Sequence, residues 1–292
     1  MSGLHIVDTT ALSLEIEPYT PNIGAFIHDI DLARVGPHDA LASELHAALA
    51  QYQVLFFRDQ RLTPEQQVSV ARIFGDPDKA KAFFPRLAGQ DLVEVIESKP
   101  GGHRYGTDQW HTDITFSANP PTGTVLYARE VPALGGDTLW TSATRVYDAL
   151  PPALRDHVEG LEAVHSFEHS GWPRFFLAQR GGETLYRQAR ADNLPVVHPV
   201  IRVHPVTGRK LVYVNPNFTD RIIGLTRAAS DALLGLLFGY FQRPDFQARL
   251  RWEKDTVAIW DNRATQHYAV NDFQPARRLM HRVTFGEDRA FA

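Results

Sequence analysis

Hydrophobic and polar positions along this chain follow two periods, and the switch between them outlines an architecture. Three stretches carry the helical period. GPHDALASELHAALAQY, ending at Tyr52, is an amphipathic run that leads straight into the apolar VLFF at 54–57. LTPEQQVSVARIFGD has Thr63 as N-cap, Pro64 at the first helical position and a stop near Gly75. LTRAASDALLGLLFGYF has Thr226 as cap and an apolar face broad enough to cover a sheet. Between these lie short strand-like runs: LVEVIES, TGTVLYARE, DTLWTS, LEAVHSFE, HPVIRVHP, KLVYVN, QARLRWE, DTVAIWD and LMHRVTF, each bounded by Gly, Pro, Asn or Asp. Short strands without a helix between each pair do not suit a doubly wound parallel sheet. They predict a mostly β fold with flanking helices, a double-stranded β-helix or jelly roll. No repeat, low-complexity tract or Gly/Ser linker breaks the chain, so residues 1–292 are expected to form one domain.

Composition narrows the chemistry. There is no cysteine, so thiolate metal sites, thiol nucleophiles and iron–sulfur clusters are excluded. Any metal must be held by His, Asp, Glu or backbone oxygens. A net charge of −4 gives no broad basic surface for nucleic acid. No apolar run approaches the roughly 18 residues of a membrane span, and MSGLHIVDTTALSLEIEPYT lacks the basic start and apolar block of a signal peptide. A cytoplasmic protein with no membrane partner is expected.

The segment QWHTDITF, residues 109–116, places His111 and Asp113 two apart among strand-forming neighbours. On a strand, side chains at i and i+2 share a face, so the imidazole and the carboxylate would reach the same space. In DTVAIWDNRATQHYAV, His267 follows a polar turn after an apolar strand. Eleven residues later RRLMHRVTF puts Arg278, Met280, Arg282 and Thr284 on one strand face, with Leu279, His281, Val283 and Phe285 on the other. Arginines on such a face are costly to bury without anions, so they meet a ligand, pair with acidic residues of adjacent strands, or face solvent. Two histidines and one carboxylate make the facial triad that suits non-heme Fe(II) with open positions. An arginine fork beside it matches a carboxylate. Together they imply an oxo-acid cosubstrate that chelates the metal at one end and is clamped at the other.

With those residues in place, the sequence resembles the taurine dioxygenase family of Fe(II)- and 2-oxoglutarate-dependent oxygenases. The resemblance runs from IGAFIHDIDL through YQVLFFRDQ, WHTDITF, GGDTLW and HPVIRVHPVTGRKLVYVN to IWDNRATQHYAVNDFQPARRLMHRVTF. It implies that His111, Asp113 and His267 are the iron ligands. It also implies that Arg278 and Thr138 hold the C5 carboxylate of 2-oxoglutarate, and that O2 is the second cosubstrate. Arg282 matches the group that holds the substrate's anion, and Phe218 an aromatic of the substrate pocket. A second pocket aromatic falls in SFEHSGW, at Phe167 or Trp172. Trp252 and Trp260 match tryptophans of the family and are expected to pack in the core.

The chain departs from the taurine-specific pattern at two places. Lys81 and Phe84 stand where a His-x-x-Tyr motif is expected, and Thr107 replaces an Asn four residues before His111. His103 and Tyr105 are alternative sources of the missing contacts. Losing buried polar groups redirects specificity. The expected reaction is therefore hydroxylation of a small organic anion, an organosulfonate or an alkyl sulfate, releasing sulfite or sulfate and an aldehyde. The alternatives are a carboxylated, aryloxyalkanoate-like substrate or a non-catalytic jelly-roll anion-binding protein. A zinc hydrolase using the same ligands gives no role to Arg278 and Thr138. The family resemblance also implies a homo-oligomer, dimer or tetramer.

Overall fold

A computed structural model describes residues 14–79, 84–100, 108–178 and 181–287. Strands dominate. An eight-stranded sheet runs edge to edge through Glu15–Pro18, Ala25–His28, Val54–Phe57, Val257–Asp261, Pro121–Glu130, Arg278–Glu287, Gln90–Ser98 and Arg86–Leu87. All neighbours are antiparallel except Ala25–His28 with Val54–Phe57. A second sheet of Gln247–Leu250, Thr138–Ser142 and Thr265–Ala269 faces it, and a third joins Thr219–Ile222, Glu162–His165 and Val196–Pro199. This is the jelly-roll arrangement expected from the strand pattern.

Side-chain alternation explains the layering. From the Arg278–Glu287 strand, Val283 and Phe285 enter a core shared with Leu45, Val70 and Ile73 of the two N-terminal helices. Met280 points the other way, into a core where Phe56 and Trp260 of the large sheet meet Trp140 of the small one and Trp252, just past its Gln247–Leu250 strand. The helices start where expected. Thr63 and Gln66 form a reciprocal capping box, and Pro64 opens the Pro64–Phe74 helix. Thr226 accepts the amide of Ala229 to open Arg227–Phe241. That helix covers a further core with Val212, Val214 and Ile222.

Three local expectations are corrected. QWHTDITF is not a strand: His111 makes an isolated β-bridge to His267, and the chain then turns through residues 113–116. Ile114 sits at φ +56°, which no strand position allows. LEAVHSFE ends its strand at His165 and passes into a 3-10 turn at Phe167–His169, where the Ser166 hydroxyl accepts the Glu168 amide. HPVIRVHP is split into Val196–Pro199 and Ile201–Val203. Between them Val200 bonds sideways, its amide to Leu161 and its carbonyl to Tyr213.

Candidate active site

Backbone and side-chain bonds bring the triad together. The His111 amide donates to the His267 carbonyl at 3.0 Å, and the His267 amide donates back at 2.8 Å. This pairing sets the two imidazoles side by side, 4.1 Å between ring centroids. Asn262 then clamps the next residue but one. Its amide oxygen accepts the Asp113 N–H at 3.0 Å, and its amide nitrogen donates to the Asp113 and Pro121 carbonyls, each at 3.0 Å. The left-handed Ile114 turns the chain immediately afterwards, a conformation that costs a β-branched residue about 1–3 kcal/mol. Asp113 Oδ1 consequently lies 4.0 Å from His111 Nε2 and 3.9 Å from His267 Nε2. One ligand atom from each residue falls within 4.8 Å of the others.

The donor chemistry fits a divalent metal. Burial holds both imidazoles below the ordinary histidine value, His267 at about 3, so each is neutral near pH 7. Burial works against ionisation of Asp113, but its neighbours, Arg282 foremost, outweigh it and hold the carboxyl below its usual range. His111 Nδ1 is bound to the Gln109 carbonyl at 2.7 Å, which leaves Nε2 free to ligate. Thr124 donates to Asp113 Oδ2 at 3.2 Å, leaving Oδ1 facing the histidines. Two neutral imidazoles and one ionised carboxylate, all buried, are a ligand set suited to Fe(II).

Arg278 defines a second part of the site. It is buried, its Nε has no hydrogen-bond partner among the described residues, and burial pulls its pKa down to about 10 against the field of Asp137. Its guanidinium lies 5.9 Å from the Trp252 ring. Trp252 Nε1 in turn donates to the Thr138 hydroxyl at 2.9 Å, leaving that hydroxyl's own proton to give away. Trp252 is therefore core packing, as expected, and also a positioner of Thr138. The glycines of GGDTLW make the room. Both are left-handed, and a Cβ on Gly136 would press on Arg278 Cδ at 3.3 Å. A buried cation with an unused donor beside a free hydroxyl proton fits a carboxylate.

Arg282, expected to hold a substrate anion, already has protein partners. Its Nε donates to Glu94 Oε2 and its Nη1 to Asp113 Oδ1 at 3.2 Å, while Nη2 is buried without a partner among the described residues. Glu94 is the direct cross-strand neighbour of Arg282. Burial raises its pKa, opposed chiefly by Arg282. Beside the triad lies a pocket walled by Phe84, Ile96, Phe116, Trp172 and Phe218, with Arg282 and Asn217 among its polar lining groups. Phe84 covers the Arg282 guanidinium at 4.6 Å and meets Trp172 edge-on at 5.0 Å. Of the two candidates in SFEHSGW, Trp172 lines the pocket, whereas Phe167 is packed behind it against Phe116. Thr107, Lys81, His103 and Tyr105 lie outside the described residues.

Sequence reasoning missed Glu94, Asn217 and Asn262. An acid inside the apolar run LVEVI, Glu94, and an Asn in the turn of WDNR, Asn262, were the available signals. Neither reveals a partner until the register is known.

A jelly roll that gathers a facial triad beside a buried, unpaired arginine defines an oxygenase type of site. The chain belongs to the family described as "Taurine catabolism dioxygenase TauD, TfdA family", which it matches over residues 15–284. It is 36% identical to an "Alpha-ketoglutarate-dependent sulfate ester dioxygenase" of Pseudomonas putida, over 94% of this chain and 90% of that protein. It is 34% identical to an "Alkylsulfatase" of Acinetobacter baylyi, over 93% of this chain and 84% of the relative. The crystal structure of a putative α-ketoglutarate-dependent taurine dioxygenase from Burkholderia xenovorans superposes with a TM-score of 0.80 at 34% identity, covering 94% of this chain and 90% of that one.

Proposed function

We propose that this protein is a 2-oxoglutarate-dependent non-heme iron dioxygenase that hydroxylates a small organic anion with an apolar tail, a sulfate ester or sulfonate. His111, Asp113 and His267 would hold Fe(II), and Arg278 with Thr138 the distal carboxylate of 2-oxoglutarate. When bound, Fe(II), 2-oxoglutarate and O2 supply oxidative decarboxylation to succinate and CO2 and the oxygen atom inserted into a substrate C–H bond. The protein's own part is placement and exclusion of water. Arg282 Nη2 anchors the substrate anion, the Phe84, Trp172 and Phe218 rings hold its tail, and the Asn262 clamp keeps Asp113 aimed at the histidines. Hydroxylation at the carbon bearing sulfate gives a product that collapses to an aldehyde and sulfate.

The observation that carries the reading is the pocket beside the triad, apolar over most of its wall with one unpartnered arginine donor. Apart from the triad's Asp113, its lining among the described residues contains no acid that could pair with the ammonium of taurine. That favours an uncharged alkyl tail, in keeping with the sulfate-ester activities of the named relatives. The test incubates anaerobically purified protein with Fe(II), 2-oxoglutarate, oxygen and a panel of taurine, longer alkanesulfonates, alkyl sulfates and aryloxy acids. Succinate and released sulfite or sulfate are measured together. Sulfate formed in step with succinate from alkyl sulfates is the expected result. Succinate stimulated only by the aryloxy acids would overturn the substrate class, and succinate stimulated by no panel member would overturn the reading itself.

A further inference from the structure

Arg282 has three nitrogens, and the protein has already used two of them. Glu94 takes Nε along one edge, and Asp113 takes Nη1 at the end; the unpartnered donor is Nη2. A guanidinium can grip a planar carboxylate in two ways: side-on through Nε and Nη2, or end-on through Nη1 and Nη2. Glu94 occupies a nitrogen of the first fork and Asp113 a nitrogen of the second. What remains is a one-donor clamp at the edge of an apolar pocket.

We propose that Glu94 is a positioning residue that sets substrate class, because its hold on Arg282 Nε leaves a site suited to a sulfo group and unsuited to a carboxylate. This rests on the reading of the pocket as the substrate site. The physical basis is hydration and geometry. A carboxylate concentrates its charge on two oxygens, is strongly hydrated, and loses that hydration unless several donors replace it. A sulfate monoester or sulfonate spreads one charge over three oxygens and is a far weaker base, so one charged N–H with an apolar surround suffices. Glu94 is well placed for this. It stands directly opposite Arg282 in the antiparallel register, is 2% exposed, and lines a separate polar cavity rather than the apolar pocket. The Phe84 ring lies 4.6 Å from the guanidinium carbon and covers that side of it.

The test measures anion binding by quenching of the chain's tryptophan fluorescence, since Trp172 lines the pocket. The full chain is held under nitrogen with Fe(II) and 2-oxoglutarate and titrated with hexyl sulfate and with heptanoate. Wild type is expected to bind the sulfate at least about tenfold more tightly. In Glu94→Ala the side-on fork is released, heptanoate tightens, and the ratio falls toward unity. Glu94→Gln, whose amide oxygen still accepts from Nε, is expected to keep the wild-type ratio, a rescue that a merely structural role would not require. Equal affinities in wild type, an unchanged ratio in folded Glu94→Ala, or a Glu94→Gln ratio that falls as far as that of Glu94→Ala would each overturn the proposal. The wild-type and Gln results stand if the Ala variant fails to fold. Succinate formation with the same two anions separates this proposal from the functional reading. Selective binding without succinate sinks the dioxygenase reading alone; succinate formation without selective binding sinks the role of Glu94 alone.

Discussion

Arg278 and Arg282 stand four residues apart on one face of one strand, both buried, in opposite electrostatic settings. Arg282 meets two carboxylates, Glu94 and Asp113, and its pKa is held above the ordinary value because those charges outweigh burial. Arg278 has no ion pair among the described residues, and burial pulls its pKa down to about 10. The pattern of alternate residues left three possible fates for these arginines: acidic neighbours, a ligand or solvent. Neither faces solvent, and only Arg282 meets acids. The paired guanidinium is held by two acids and keeps a single donor, Nη2, for a ligand. An unpaired one is a buried charge that folding alone does not justify, which is the mark of a site awaiting an anion.

The contrast can be broken by matched substitutions. Arg282→Leu strands Glu94 and Asp113 as uncompensated buried acids, and is expected to lower unfolding free energy by about 3–5 kcal/mol, read from urea unfolding of the metal-free protein. Arg278→Leu removes a charge that had no ion-pair partner, so the same measurement should show stability unchanged or raised. Its effect falls instead on the cosubstrate, with the KM for 2-oxoglutarate rising about 30-fold or more, on the order of 2–5 kcal/mol for a buried charge pair. If the two variants are equally destabilised, the distinction between a paired and an unpaired arginine is wrong.

A smaller effect is expected behind the triad. Asn262→Ala removes both halves of the clamp on Asp113 and should weaken Fe(II) binding about 10–100-fold, as loss of an outer-shell partner typically does. Calorimetric titration with the metal measures it, and unchanged affinity would remove Asn262 from the account. Smaller again is a pH effect. His165 is bound at Nδ1 to the Thr115 hydroxyl at 2.9 Å, and burial, with His198 and Arg202, holds its pKa well below the ordinary value. The fold keeps it neutral, whereas the unfolded chain takes up that proton below about pH 6.5. Its contribution is therefore present above that pH and is lost on acidification, by up to about 1.4 kcal/mol per unit. In His165→Gln the slope of stability against pH between 6.5 and 5.5 should flatten by one proton; an unchanged slope would show that His165 is not the group responsible.

Much of this was legible in the sequence, and the limits have physical causes. Alternation in RRLMHRVTF assigned the two faces of the last strand because one side must enter each core. The spacing of His111 and Asp113 was informative even though the strand assigned to them was not. Their side chains converge through a bridge, a side-chain clamp and a left-handed Ile114, and no propensity announces a β-branched residue at positive φ. Glu94 and Asn262 could not be placed because each acts across the fold, Glu94 through strand register and Asn262 through a turn that reaches back 149 residues. Local pattern fixes which face a residue occupies; it does not say which residue stands opposite.

The most direct test of the central claim is thermal unfolding of the protein with Fe(II) under nitrogen, with and without 2-oxoglutarate. Wild type should be stabilised by the cosubstrate, by about 2.7 kcal/mol at a hundredfold excess over Kd, and Arg278→Leu should not respond at the same concentration. Equal stabilisation of the two proteins would mean that the unpaired arginine does not hold the cosubstrate, and would contradict the account at its centre.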